Sequence, residues 1–367
     1  MIVQILASHS SPRNGVCGTI RTGRAIAIAA ALCATPAAAQ AQSVADFYRG
    51  KTIEMMIGGA VGGGYDLAGR IVAHHIGRHI PGNPGFVVRN MPGATSLIMT
   101  NHLYNVAKRD GTVIGMPTSN IPLEQRLKLI SADGANVKFE IERFGWIGTP
   151  VQEPQITWVW HTAPVQNVDD LRTNVIRMGA TTSSADNYLL PTIVNQILAT
   201  RMQTVTGYIG QNEIFLATER GEVQGNNTGL SNITVNKADW LRDGKVRILL
   251  QYGAERLPSL PGVPTAVELA PAETDRALLR FYAVKFSMAR PLMAPPDVPA
   301  ERLAVLRDAF DATMKDPQYL EDAASIGLDV NPLAGEGIVK LIRQVQSTPQ
   351  PVVDRLRELL AGAKPAR

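Results

Sequence analysis

The sequence predicts an α/β fold made of two units, each with a parallel-rich sheet. Short apolar runs alternate with helix-period patterns from residue 51 onward. The runs follow one another in strand–helix–strand order with short connections, which is typical of right-handed crossovers in parallel sheets. A chain of 367 residues is long enough for about two domains, and the alternation restarts near Thr149.

In the first unit, each predicted strand is an apolar run and each predicted helix has an apolar face. Leu67, Ile71, Val72 and Ile76 fall at helical spacing and indicate the first helix. Apolar runs bounded by Gly, Pro and Asn indicate the strands. The predicted strands are 51–57, 85–89 and 113–116, and the predicted helices are 66–79 and 95–106.

The second unit repeats this alternation and is followed by a helical region. Its predicted strands are 157–160, 176–179, 204–206, 221–225 and 246–251, with helices at 167–172, 187–200 and 211–218. A proline-rich loop at 258–264 comes next. An apolar segment at 281–288, a long helix at 300–315 and an amphipathic helix at 352–360 complete the prediction.

Residues 1–41 have the pattern of a secretory signal peptide. Arg13, Arg21 and Arg24 precede an apolar run at 25–34, and small residues follow. The run is shorter than the roughly 20 apolar residues that span a bilayer. Cleavage after Ala39 and cleavage after Ala41 fit equally well. Removing the leader lowers the formal net charge from +4 to +1.

Composition excludes several classes of protein. Apolar residues make up 45% of the chain and charged residues 19%, which excludes a disordered protein. No cluster of basic residues indicates nucleic-acid binding. Cys17 and Cys33, the chain's two cysteines, both lie in the leader. The mature protein is therefore predicted to have no disulfide, no thiolate nucleophile and no cysteine metal ligand.

A glycine loop between the first strand and the first helix is the sharpest local signal. Three consecutive glycines let backbone N–H groups approach a ligand, and the helix N-terminus after them favours an anion. The spacing matches neither a Walker loop nor a dinucleotide-binding fingerprint. A tight strand–helix turn is the alternative. The candidate ligand-binding residues here are Val61, Gly62, Gly63, Gly64, Tyr65 and Asp66, with Asp66 as a natural N-cap.

Four further polar segments follow predicted strands in both units. The carboxyl edge of an open α/β sheet is its usual ligand crevice. Taken singly, each segment is more often a helix cap or a turn, but their shared placement favours a binding site. The candidates in these segments are Thr95, Thr118, Ser119, Thr182, Ser183, Asn187, Asn226 and Thr228.

The histidines and serines do not form a recognisable catalytic or metal-binding motif. His75 and His79 lie four residues apart but lack the remainder of a zinc motif, so a solvated helix face is predicted. Ser183 lacks the nucleophile elbow of a hydrolase. His102 and His161 are isolated. We therefore predict no cofactor and no metal.

Several motifs, in order along the chain, resemble those of one protein family. They are YRGKTI at 48–53, AVGGGYD at 60–66, RNMPGA at 89–94, RDGT at 109–112, the segment 211–225, and LPGVPT at 260–265. Together they resemble the periplasmic receptors of tripartite tricarboxylate transporters, the TctC or Bug family. Departures from its pattern include Gly58-Gly59, Met91, Thr95, and Asn187 where many relatives carry histidine.

The resemblance implies a periplasmic-binding-protein-like fold, with two α/β domains around a central cleft. Domain I would comprise 42–150 plus 254–345 and domain II 151–253, with 346–367 packing on domain I. Relatives hold a carboxylate through backbone N–H groups, hydroxyls and bridging water instead of an arginine clamp. By position, the implied contacts are Gly63, Gly64, Thr95, Thr118, Ser119, Ser183 and Asn187, with Asp66 capping its helix.

The resemblance also implies a function without chemistry. The protein would be a monomeric periplasmic receptor that closes on a small organic anion and delivers it to membrane transporter subunits. A sensor protein is the alternative partner. A third hypothesis is an exported hydrolase or lyase that uses Asp66, His161 or His102.

Overall fold

The computed structural model describes residues 44–128 and 137–362, so the predicted leader lies outside the described residues. The strands in these ranges are β1 (Thr52–Ile57), β2 (Gly85–Asn90), β3 (Val113–Met116), β4 (Gly145–Thr149), β5 (Gln155–Trp160), β6 (Ile176–Gly179), β7 (Met202–Val205), β8 (Gly225–Gly229), β9 (Val246–Gln251), β10 (Leu292–Ala294) and β11 (Leu333–Ala334).

The helices cover the faces of the sheets and connect their strands. In the described ranges they are α1 (Gly64–Ile76), α2 (Leu97–Asn105), α3 (Ile121–Leu127), α4 (Asp170–Thr173), α5 (Asp186–Leu198), α6 (Gln211–Glu219), α7 (Ser231–Thr234), α8 (Ala238–Arg242), α9 (Ala266–Leu269), α10 (Glu273–Ala283), α11 (Ala300–Thr313), α12 (Pro317–Ser325), α13 (Gly335–Ser347) and α14 (Gln350–Gly362). No helix in these ranges combines the length and apolar character that a membrane crossing needs.

The first lobe is built on a sheet with the strand order β11-β4-β10-β3-β1-β2. β1 pairs in parallel with β2 and β3, as the strand–helix–strand pattern predicts. β10 lies antiparallel between β3 and β4, because the chain returns from the second lobe in the opposite direction. The result is a mixed sheet whose parallel part carries the glycine loop.

The second lobe is built on a sheet with the order β7-β6-β8-β5-β9. β6 pairs in parallel with β7 and β8, whereas β5 is antiparallel to both β8 and β9. β5 enters directly from the first lobe, which explains its reversed direction. The predicted α/β class with two sheets is confirmed, but the predicted parallel-rich character is wrong. Among the described strands, the first sheet has two parallel and three antiparallel pairings, and the second sheet has two of each.

Two antiparallel segments join the lobes. The first crossover is 150–154, and the second crossover is 284–291. The Glu153 N–H donates to the Phe286 carbonyl at 2.8 Å, and the Ala289 N–H donates to the Val151 carbonyl at 3.1 Å. These bonds hold the crossovers side by side at the floor of the interlobe cleft.

One apolar core extends through both lobes. Buried side chains of β3 and α2 belong to the same cluster as Ile193 of α5, Leu278 of α10 and Leu356 of α14. A second cluster packs β1 against α1 and α11, with Ile57, Val72 and Phe310 fully buried. At roughly 25 cal/mol per Å² of apolar surface, this burial is the main stabilising contribution to the fold.

The structure corrects several predicted element boundaries. α1 begins at Gly64 with Gly63 at the N-cap, two residues before the predicted start at Asp66. The strand predicted at 221–225 is instead Gly225–Gly229, a buried strand of polar residues and glycine. α10, α12 and α13 in the C-terminal region were not predicted. Each of the three has a buried face at helical spacing, a signal that the sequence contains and the prediction did not use.

His75 and His79 do not lie on a solvated helix face, because α12 packs beside α1. His75 is 2% exposed, and its Nε2 lies 2.7 Å from the Asp322 carboxylate. Its Nδ1 lies 2.6 Å from the Arg78 guanidinium. His79 contacts Asp316 at 2.8 Å. Each histidine thus ties α1 to the α12 region.

Candidate ligand-binding site

The main cavity lies between the two lobes and above the second crossover. Its volume is about 300 Å³, at the lower end of the range typical of small-molecule pockets. A side cavity of about 190 Å³ adjoins it and shares Glu153, Asn232 and Arg290 with it. The main cavity is lined by Tyr65, Ser119, Glu153, Gln155, Ala185, Asp186, Asn187, Gln211, Asn227, Thr228, Gly229, Asn232, Lys285, Phe286, Ala289 and Arg290.

The first-lobe wall of the cavity consists of Tyr65 and Ser119. The Ser119 N–H donates to the Tyr65 hydroxyl oxygen at 3.0 Å, and the Tyr65 hydroxyl lies 3.4 Å from Ser119 Oγ. Tyr65 stands in the first turn of α1, and Ser119 follows β3. These bonds join the start of α1 to the end of β3, so the two side chains hold each other in position in this wall.

The turn before α2 supports this wall from behind. Gly93 and the next three residues, Ala94, Thr95 and Ser96, all have positive φ. Left-handed backbone is unfavourable for residues with a Cβ, so neighbouring contacts must hold this turn. The Thr118 N–H donates to Ser96 Oγ at 3.0 Å, and Thr118 Oγ1 donates to the Thr95 carbonyl at 2.9 Å. These two bonds fix Thr118, the residue before Ser119 of the cavity wall.

Arg290 is a positively charged group without a carboxylate partner among the described residues. Its guanidinium carbon lies 4.5 Å from the centre of the Tyr65 ring. Its Nη1 donates to the Ala289 carbonyl at 3.0 Å, while its Nε is buried without a hydrogen-bond partner. A Cβ on Gly64 would lie 3.5 Å from Nη2, so the guanidinium also faces the first residue of α1. Arginine and a helix N-terminus together favour a bound anion.

The second-lobe wall is rich in hydrogen-bond acceptors. Glu153 accepts a hydrogen bond from the Ser231 hydroxyl and has no cationic partner among the described residues. Asn227 is 1% exposed; its Nδ2 donates to the Tyr252 hydroxyl at 2.7 Å, and its Oδ1 has no partner. A buried acceptor without a donor costs free energy until a ligand or water satisfies it.

Lys285 joins both lobes at the cavity floor. Its ammonium donates to Asp186 Oδ1 at 2.6 Å and to Asn120 Oδ1 at 2.9 Å. The Tyr282 hydroxyl donates to the same Asp186 oxygen at 2.7 Å. Burial, together with the Asp186 charge, raises the pKa of Tyr282 well above its ordinary value, so this hydroxyl remains a donor. Because Asp186 neutralises Lys285, this pair adds little net charge to the cavity.

Asp66 lies behind the cavity lining and holds the glycine loop. Its Oδ2 accepts from the Gly62 N–H at 2.8 Å. Its Oδ1 accepts from Asn90 Nδ2 at 2.9 Å and pairs with Arg70 at 2.9 Å. The carboxylate, 2% exposed, thus reaches back to the loop from inside the first turn of α1 instead of occupying the N-cap.

The structure brings four of the predicted binding residues into the main cavity lining. They are Tyr65, Ser119, Asn187 and Thr228, while Gly64 lines the side cavity. The other predicted residues lie outside both linings. Val61 is 73% exposed, and Asn226 is buried with its amide unpartnered. The remaining ones are Gly62, Gly63, Asp66, Thr95, Thr118, Thr182 and Ser183.

Sequence reasoning missed the charged groups of the cavity. Glu153 belongs to the first crossover, and Lys285 and Arg290 belong to the second, so no strand-end motif contains them. One signal was available, because Lys285 interrupts the apolar run at 281–288. A lysine buried in such a run needs an anionic partner. His102 and His161, the candidate histidines of the hydrolase hypothesis, are not among the residues that line either cavity.

The chain is similar to known proteins in sequence and in fold. No protein-family model matches the chain. A curated relative from Cupriavidus necator, described as "UPF0065 protein in gbd 5′ region", is 24% identical over 313 residues. The alignment covers 84% of this chain and 88% of that protein.

Several solved structures share the fold of this chain. A TctC solute-binding protein from Polaromonas has a TM-score of 0.65 at 17% identity, covering 84% of this chain and 99% of that one. The periplasmic binding protein BugD has a TM-score of 0.54 at 21% identity, covering 86% and 98%. MatC from Rhodopseudomonas palustris, with bound malate, has a TM-score of 0.51 at 17% identity, covering 84% and 99%.

The fold is therefore that of a two-lobed periplasmic solute-binding protein. Among such proteins, the likeness is to the TctC and Bug structures, so the resemblance drawn from the sequence motifs is confirmed. Two of these neighbours are named as binding proteins, and the third is described with bound malate.

Proposed function

We propose that the protein is a periplasmic receptor that binds a small organic acid in the main cavity and delivers it to a membrane transporter of the tripartite tricarboxylate type. The main support for this proposal is the environment of Arg290. This side chain presents a guanidinium without a carboxylate partner among the described residues, stacked on Tyr65 beside the start of α1, in a cavity between two lobes. MatC, which has the same fold, binds malate. Binding would draw the lobes together by hinge motion about the two crossovers.

The acid-binding step is tested by titrating the purified protein with succinate, malate, glutarate, benzoate and glucose in a calorimeter. We expect saturable binding of at least one acid and none of glucose. Arg290→Met should weaken acid binding at least about tenfold, since a charge-assisted hydrogen bond contributes about 1.5–3 kcal/mol. Arg343→Met is the matched control because Arg343 is exposed on α13, outside the cavity.

Two results would overturn this step. One is an Arg290→Met protein that remains folded and binds the acid as tightly as the native protein. The other is the absence of binding by every acid tested, the amino acids of the matched pairs described below included. Delivery is tested separately by measuring uptake of the bound acid in cells that lack the receptor. Unchanged uptake would exclude the transporter role and favour the sensor alternative.

A further inference from the structure

The main cavity holds two uncompensated charges of opposite sign. Arg290 has no carboxylate partner and Glu153 has no cationic partner among the described residues, and the two do not form an ion pair with each other. The cavity's other charged groups, Lys285 and Asp186, pair directly at 2.6 Å. The cavity is therefore close to neutral overall, yet its two free charges lie apart.

Three side chains that line the cavity each have a buried polar atom without a hydrogen-bond partner. On the first-lobe side, Arg290 Nε is a donor without an acceptor. On the second-lobe side, Asn227 Oδ1 is a buried acceptor without a donor, and Gln211 Nε2 is a buried donor without an acceptor. Ser231 holds the Glu153 carboxylate by a hydrogen bond, so the acceptor end is positioned and not freely mobile. The donor end suits a carboxylate, and the acceptor end suits an ammonium group.

We propose that the ligand is an amino acid, with its carboxylate on Arg290 and its ammonium group on Glu153 and Asn227. This inference rests on the proposed function and specifies its ligand class. A plain carboxylate would satisfy Arg290 but would leave Glu153 and Asn227 Oδ1 unpaired in a closing cavity. Leaving buried polar groups unpaired is what allows a site to reject an analogue that lacks one functional group.

Matched pairs of ligands test the inference, since each pair differs in a single amino group. The pairs are succinate and L-aspartate, glutarate and L-glutamate, and propionate and β-alanine, each titrated into the native protein. We expect the amino acid of at least one pair to bind about tenfold or more tightly than its matched acid. D-glucose serves as the neutral control.

Variants then assign the preference to particular residues. Glu153→Gln keeps the size and the acceptor for Ser231 but removes the charge. It should reduce the amino-acid-to-acid affinity ratio to near one. Glu153→Asp, which keeps the charge, should retain part of the ratio, and this distinguishes a charge effect from damage to the fold. Glu301→Gln, on an exposed glutamate of α11, is the control and should leave the ratio unchanged.

The outcomes separate this inference from the proposed function. Equal binding of acid and amino acid in every pair would overturn the inference while leaving the acid receptor intact. A preference for the amino acid would also overturn the inference, and leave the acid receptor intact, if the amino-acid-to-acid affinity ratio were unchanged in Glu153→Gln. If no member of any pair binds, nor any acid of the wider set, both the inference and the proposed function fail.

Discussion

At the scale of single residues, the polar groups of this protein divide into those that shape the glycine loop and those that face the cavity. Asp66 belongs to the first kind, because both its oxygens accept from residues of the loop, α1 and β2. Arg290 belongs to the second kind, since its Nε has no partner within the described residues. Removing Asp66 should therefore affect stability first, and removing Arg290 should affect binding first.

Asp66→Asn should lower the free energy of unfolding by about 1–3 kcal/mol at pH 7, because a charged acceptor is lost from a buried set of donors. Burial alone would raise the pKa of Asp66, but hydrogen bonds from Arg70, Gly62 and Asn90 outweigh it and lower that pKa. Because this pKa is lower in the folded protein than in the unfolded chain, the Asp66 carboxylate contributes its full stabilisation above the unfolded pKa of about 4. That contribution disappears as the pH falls further. The difference between native and variant proteins should narrow from pH 4 downward.

Urea unfolding at pH 7 and pH 3 measures this difference. Asp308→Asn, on an exposed residue of α11, is the control and should change the free energy by no more than about 0.5 kcal/mol. If Asp66→Asn reduced ligand affinity far more than stability, Asp66 would be a ligand contact, contrary to its position behind the cavity.

Residue patterns predicted part of the candidate site, and the reason for the remainder is physical. Tyr65, Ser119, Asn187 and Thr228 were predicted because strand ends of an α/β sheet converge on one edge. Arg290 was missed because its role depends on contacts with residues more than 200 positions away, such as Tyr65. No local pattern contains such a contact.

At the scale of elements, buried polar strands and short strands limit what patterning can predict. β8 has the sequence GNNTG and is buried throughout. Glycine and asparagine are disfavoured in strands, so the composition of this segment does not predict the strand that it forms in the sheet. In contrast, β3, β6 and β9 are mostly apolar, and the structure gives them the predicted bounds. β10 has three residues and is held in place by pairing with β3 and β4.

The contact between the end of β1 and the turn before α2 is tested by a double-mutant cycle. A Cβ on Gly58 would collide with Ser96 Oγ and Cβ, so Gly58→Ala should cost about 1–3 kcal/mol of stability. A Ser96→Gly background removes both colliding atoms and leaves the Cα of residue 96 at 3.2 Å, and its φ of +72° becomes favourable. The same substitution should therefore cost at least about 1 kcal/mol less in that background.

Thermal and urea unfolding of the four proteins measure this coupling. Gly85→Ala is a matched control, because the nearest atom to its new Cβ would be Thr52 Oγ1 at 3.8 Å. It should change stability by no more than about 0.5 kcal/mol. Equal costs of Gly58→Ala in both backgrounds would show that Ser96 is not the obstacle.

At the scale of the whole molecule, the alternation of strands and helices predicted two α/β units, but neither the strand order within their sheets nor the way the units are joined. The predicted domain ranges place 151–253 apart from the segments on either side, and the second sheet draws its strands from within that range. The shared apolar core and the paired crossovers depend on packing between distant segments. Such packing leaves no periodic signal in the sequence.

Export is the prediction that concerns the chain as a whole. Expressed with its leader in a Gram-negative host, the protein should be recovered from the periplasmic fraction, beginning at Gln40 or Gln42. Intact-mass spectrometry distinguishes the two cleavage sites. Replacing Ile26 and Ile28 with aspartate interrupts the apolar run and should retain the full-length chain inside the cell. Recovery of an uncleaved native chain from the cytoplasm would contradict the signal-peptide interpretation.

The position of Lys285 has a consequence for how this protein can evolve. The same ammonium group binds Asn120 of the first lobe and Asp186 of the second, and Asp186 also lines the main cavity. A substitution at Asp186 that adapts the cavity to another ligand therefore also alters the junction between the lobes. Ligand choice and lobe movement are thus linked traits, and a lineage that changes one must compensate at Asn120, Tyr282 or Lys285 to preserve the other.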